Sequence, residues 1–147
     1  MKSQIILCSG GARSGKSEFA ERLALATEGR KAYVATGQAF DDEMVDRIKK
    51  HQERRGNIWT NFEIPLYLAE EWQHISSVAD VILIDCLTMF TTNHMMAHGS
   101  IQGQQDANRL EDTVLSELEA LLNLIKVSDD KIVIFVTNEI GLGIVPD

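Results

Sequence analysis

The apolar positions of this chain fall in short, nearly unbroken runs, separated by longer stretches with helical spacing. Runs at residues 4–9, 31–36, 81–86 and 131–137 predict strands. Their near-continuous apolar character suits strands covered on both faces of a parallel sheet. Between them, residues 17–28 place Phe19, Ala20, Leu23 and Ala24 on one helical face. Residues 41–55 carry Met44, Ile48 and Gln52 at helical spacing amid Lys49, Lys50, Arg54 and Arg55. Residues 65–77 begin with Pro65, a usual first-turn residue, and present Leu68, Trp72 and Ile75. The longest predicted helix, 106–126, has Leu110, Val114, Leu118, Leu121 and Ile125 as its stripe. Alternating strands and helices predict an α/β fold with right-handed crossovers. Residues 99–105 read as a flexible connection between two helices. Residues 140–147 read as a loop, with no element after them to close the core.

Composition narrows the class. A chain of 147 residues, 44% hydrophobic and 24% charged, reads as one globular domain, 1–147. Its net charge of -8 argues against nucleic acid as a partner, because such surfaces need excess Lys and Arg. No apolar run approaches a transmembrane span and no signal peptide is evident, so no integral membrane segment is expected. Cys8 and Cys86 sit at strand ends and read as buried, reduced thiols, which fits a cytoplasmic location.

The chemistry concentrates after the first strand. Gly10-Gly11-Ala12-Arg13-Ser14-Gly15-Lys16-Ser17 is a phosphate-binding loop pattern in strand–loop–helix context. Glycines let backbone N–H groups turn toward phosphate oxygens, and the helix N-terminus adds a favourable dipole. Lys16 is expected to reach the β/γ-phosphates, and the Ser17 hydroxyl to ligate Mg²⁺. The fold expected is therefore of the P-loop NTPase type. Asp85, ending the strand Val81-Ile82-Leu83-Ile84, is the expected metal-side acid. Thr137-Asn138-Glu139 follows the last strand, where ligands of open parallel sheets bind, though an ordinary turn explains these residues equally well. His51 on a charged helix reads by itself as a solvated surface residue, but the four cations flanking it suit a polyphosphate. His94 and His98 are four apart, yet lack a third ligand and read as structural or surface residues. Trp59 and Trp72 read as core or half-buried residues.

These landmarks, in order, resemble one family. The loop at 10–17, Tyr33-Val34-Ala35-Thr36, Asp41-Asp42-Glu43-Met44 with Arg47-Ile48 and His51, then Trp59, Glu63 and Asp85 are its first part. Val136-Thr137-Asn138-Glu139 and Gly141-Leu142-Gly143-Ile144-Val145-Pro146 complete it. The pattern is similar to adenosylcobinamide kinase/adenosylcobinamide-phosphate guanylyltransferase. That resemblance implies a bifunctional transferase of cobalamin assembly. It would phosphorylate adenosylcobinamide with ATP or GTP, then pass GMP from GTP to adenosylcobinamide phosphate through a guanylylated histidine, releasing pyrophosphate. The histidine falls on His51. The implied nucleotide contacts are Gly10, Gly11, Ala12, Arg13, Ser14, Gly15, Lys16, Ser17, Ala35, Thr36, Gly37, Gln52, Glu53, Arg54, Arg55, Glu63 and Asp85. Glu63 would accept from guanine's ring N–H and amino group. Ser17 and Asp85 would hold Mg²⁺, and a homotrimer is the assembly the resemblance offers.

Family members continue past the Gly-Ile-Val-Pro loop as a helix and a final strand, whereas this sequence stops at Asp147. The expected sheet, mainly parallel and flanked by helices, therefore lacks the family's C-terminal helix and strand and should expose an apolar face and an edge. Two other readings share the loop: a small-molecule P-loop kinase without transferase activity, and a truncated, non-catalytic nucleotide-binding module.

Overall fold

The computed structural model describes residues 2–10, 15–37 and 42–138. Five strands form one sheet: β1 (Gln4–Gly10), β2 (Lys31–Ala35), β3 (Trp59–Glu63), β4 (Val81–Asp85) and β5 (Ile132–Asn138). Their order is β1-β5-β4-β2-β3, and every pairing is parallel. The helices are α1 (Lys16–Leu25), α2 (Asp42–Arg55), α3 (Leu68–Val78), α4 (Leu87–His98) and α5 (Gly103–Val127), with a 3₁₀ turn at Gly56–Ile58. This is the expected α/β sheet, consistent with a P-loop NTPase-like fold. Among the described residues no helix is long and apolar enough to cross a membrane.

The strand alternation divides the core in two. Ala32, Val34, Ile82, Ile84, Val133 and Phe135 face one side and meet Leu68, Trp72 and Ile75 of α3, Phe90 of α4, and Leu110, Val114, Leu121 and Ile125 of α5. Tyr33, Leu83, Ile134 and Val136 face the other, under Ala20 and Ala24 of α1. Both of those alanines are fully buried, whereas Phe19 is exposed. The predicted α1 face was thus too wide: small side chains bring this helix close to the sheet and leave Phe19 outside. Cys8 and Cys86 are buried free thiols, and burial raises both pKa values.

Two elements were not bounded from sequence. β3, Trp-Thr-Asn-Phe-Glu, is an edge strand whose Thr60 and Asn61 are exposed, so it shows no apolar run. α4 contains consecutive threonines, Thr91 and Thr92, whose hydroxyls bond back to Leu87 and Thr88 carbonyls. Two starts also moved. α3 begins at Leu68, because the Pro65 and Leu66 carbonyls are engaged by Asn93 Nδ2 and His94 Nε2. α5 begins at Gly103, where Asp106 Oδ2 accepts the Gln102 N–H and shortens the predicted 99–105 connection.

Trp59 and Trp72 are core, as expected. His94 is buried against Phe90, and His98 pairs with Asp106 at 2.8 Å. On the β1 side, Ile5 and Leu7 are 42% and 61% exposed, and β1 has a partner strand on one side only among the described residues.

Candidate active site

The sheet register sets the site. Ala35 lies opposite both Glu63 and Asp85, Asp85 opposite Val136, and Val136 opposite Cys8. Three strands, β2, β3 and β4, thus end at a common level, with β1 and β5 running on to Gly10 and Asn138. Polar groups at these carboxyl ends share one edge of the sheet, the place where open parallel sheets bind ligands.

α1 starts at that edge. Gly15 precedes it with φ +80°, a left-handed backbone that glycine adopts without strain. Lys16 and Ser17 then form the first turn, the end of a helix whose dipole attracts anions. Gly11, Ala12, Arg13, Ser14 and Glu139 lie outside the described residues.

A cleft of about 280 Å³ opens between α1, α2 and the strand ends. Ser17, Ala35, His51, Arg54, Arg55 and Asp85 line it, so two widely separated sequence segments meet the phosphate-loop helix there. Tyr33, Ile48, Glu18 and Glu21 complete its wall. Glu63 and Gln52 instead line a neighbouring cleft with Val45, Ile48 and Lys49, and Ile48 borders both. Glu53 lines neither and is exposed on the outer side of α2. Gly37 is half-buried just past β2.

The cations on α2 are less free than their sequence suggests. Lys50 pairs with Asp46 at 3.0 Å, and Arg47 with Glu43 at 3.6 Å. Arg54 reaches Glu21 at 3.8 Å and points Nη2 at His51 Nδ1, 3.4 Å away. Arg55 lies flat over the Tyr33 ring, 3.6 Å from its centroid, and donates to Asn61 Oδ1.

Asp85 is held as well. The Tyr33 hydroxyl donates to Asp85 Oδ2. Burial first, and then the charge of Asp85, push the Tyr33 pKa above the ordinary phenol value, so this hydroxyl stays a donor. The remaining Asp85 oxygen and the Ser17 hydroxyl are hard oxygen donors on one cleft, a set that fits a divalent cation such as Mg²⁺. Among the described residues no group of three or more His, Cys, Asp or Glu could hold a metal alone. Phosphate oxygens and water would therefore supply the other ligands.

The Thr36 side chain has a structural role. It is fully buried, donates from Oγ1 to the Cys86 carbonyl at 2.6 Å, and accepts the Cys86 N–H at 2.8 Å. Its N–H also donates to the Asp85 carbonyl. The hydroxyl is committed to joining β2 and β4 beside Asp85. Asn93, unremarked in the sequence, extends this join by donating to the Thr36 carbonyl at 2.6 Å.

Sequence reading also passed over Tyr33 and Glu21 as cleft residues. Tyr33 was legible in principle, being two positions before Ala35 on the same strand face. Glu21 lies four residues after Ser17, hence on the same side of α1.

Comparison with known proteins decides the family. Residues 6–147 match the family model described as cobinamide kinase / cobinamide phosphate guanyltransferase. The chain belongs to this family. It is 34% identical over 152 residues to the bifunctional adenosylcobalamin biosynthesis protein CobU of Escherichia coli, covering 97% of this chain and 79% of that one. The corresponding CobP of Pseudomonas aeruginosa is 41% identical over 140 residues, 95% of this chain and 74% of that one. CobU of Salmonella typhimurium is 36% identical over 152 residues.

Proposed function

We infer that this chain is a transferase that phosphorylates adenosylcobinamide with ATP or GTP, then transfers GMP from GTP to adenosylcobinamide phosphate. The observation that carries this reading is the shared cleft. His51 lines the same space as Ser17 at the start of the phosphate-binding helix and Asp85 at the end of β4.

For the kinase step, the loop at 10–17 and Lys16 cradle the triphosphate, and their N–H groups and ammonium offset charge on the transferred γ-phosphoryl. The cobinamide hydroxyl, oriented by Asp85 or Glu139, attacks the γ-phosphorus in line. An O–P bond forms as the bond to the β–γ bridging oxygen breaks, the nucleoside diphosphate leaves with that electron pair, and the hydroxyl proton passes to solvent. Mg²⁺, held by Ser17 and Asp85, would neutralise phosphate charge when bound.

For the transfer step, a nitrogen of neutral His51 attacks the α-phosphorus of GTP. A P–N bond forms, the bond to the bridging oxygen breaks, and pyrophosphate leaves with that electron pair. An oxygen of adenosylcobinamide phosphate then attacks the same phosphorus, and the P–N electrons return to the imidazole. Arg54, beside His51, is placed to balance charge on the α-phosphate. Glu63, in the adjoining cleft, is the guanine acceptor in this reading. The enzyme would work in the cytoplasm, and sedimentation would test a trimer.

Incubating the protein with α-labelled GTP and Mg²⁺, then denaturing it, tests the reading. Acid-labile, base-stable label that disappears in His51→Ala is the expected result. Bound GTP without protein label would sink the transferase half and leave a kinase or an inactive nucleotide binder.

A further inference from the structure

Tyr33 joins the two ends of this cleft. Its ring is 8% exposed, held edge-on against Trp59 with centroids 5.9 Å apart. Its hydroxyl donates to Asp85 Oδ2, while its face carries the Arg55 guanidinium at 3.6 Å. Arg55 is the last residue of α2, four positions after His51, and Asn61 of β3 fixes its other edge at 2.9 Å. This seat matters because no residue of α2 is fully buried. A helix without a buried stripe depends on such end contacts for its placement.

We propose that Tyr33 is a positioning residue with two separable duties: its hydroxyl orients the Asp85 carboxylate, and its ring face seats the helix carrying His51. The inference rests on the functional reading above for Asp85 and His51, and adds a residue that joins them. A carboxylate that faces a cation is commonly fixed by an outer hydrogen bond, whose loss costs about tenfold or more in metal affinity. A stacked guanidinium contributes enough to slow opening of a lightly held helix by about threefold or more.

Tyr33→Phe keeps the ring face and removes the hydroxyl, whereas Tyr33→Leu removes both. Manganese affinity with a non-hydrolysable GTP analogue reads the first duty, and hydrogen exchange over residues 42–55 reads the second. The Phe variant should bind Mn²⁺ about tenfold more weakly, with exchange in α2 unchanged. The Leu variant should lose Mn²⁺ affinity equally and exchange α2 amides at least about threefold faster. Wild-type Mn²⁺ affinity in the Phe variant would overturn the proposal, and so would accelerated α2 exchange in that variant. If Tyr33→Leu fails to fold, the Phe variant still decides the first duty, and Arg55→Ala decides the second, with Asn61→Ala as control for the lost hydrogen bond. Exchange of α2 in the nucleotide-free chain should rise about threefold in Arg55→Ala beyond the control, and no such rise would overturn the second duty. Neither measurement requires turnover. A wild-type chain that binds Mn²⁺ and the analogue yet never labels His51 would refute the transferase reading and leave this test intact.

Discussion

Replacing Thr36 by valine isolates the join between β2 and β4. Valine matches threonine in shape, so the substitution removes one hydroxyl and little else. That hydroxyl, at 0% exposure, accepts the Cys86 N–H and donates to the Cys86 carbonyl. The carbonyl keeps a second donor, the Phe90 N–H at 3.1 Å. The Cys86 N–H is left in a buried residue with its partner gone. An orphaned buried donor costs about 1–3 kcal/mol and the other lost bond roughly 1 kcal/mol, giving about 2–4 kcal/mol in all. With a urea slope of about 2 kcal/mol/M, the unfolding midpoint should fall by roughly 1–2 M. Buried Trp59 and Trp72 supply the fluorescence signal. Thr36→Ser retains the hydroxyl and should lose only about 1 kcal/mol, for a methyl group. A valine variant within about 0.5 kcal/mol of wild type would refute the argument. Weakened GTP binding at unchanged stability would return the Thr36 hydroxyl to direct nucleotide contact.

Three other outcomes are expected. Glu63→Ala should abolish discrimination of GTP over ATP in competition binding; an unchanged preference would remove Glu63 from guanine recognition. Gly29→Ala should destabilise the fold by about 2 kcal/mol in urea melts, because a Cβ there would lie 2.9 Å from the Asp80 Cβ at a backbone φ of +126°. The hydrogen bonds and charge of Arg30 hold the Asp80 carboxyl well below the usual carboxylate range. A depressed pKa stabilises the folded state above the unfolded value of about 4, and that increment disappears as pH falls through the folded value. The stability gap between wild type and Asp80→Asn should therefore hold from neutral pH to about 5 and close below about 4; a gap independent of pH would contradict it.

Legibility followed burial. β4 is an apolar run because both its faces are covered, and Val81 through Ile84 are all buried. β3 escaped notice because it is an edge strand with exposed positions on both faces, so adjacent Thr60 and Asn61 interrupt any apolar run. Ser17, His51 and Asp85 were legible as candidates because the phosphate loop, a basic helix and an acid at a strand end each leave a local trace. Tyr33 was legible only as part of the Tyr33-Val34-Ala35-Thr36 run; its importance comes from partners 52 positions away at Asp85 and on a helix end at Arg55.

The sequence by itself determined the parallel α/β architecture, the phosphate-binding loop and the family resemblance, since all three are written in local periodicity and contiguous motifs. Only the tertiary structure decided which polar groups face one another. It took Thr36 into the core, left Glu53 outside, divided Glu63 from His51 between adjoining clefts, and set Tyr33 between Asp85 and Arg55. These outcomes depend on strand register and on how α2 lies over the sheet, which long-range packing fixes and no local spacing encodes.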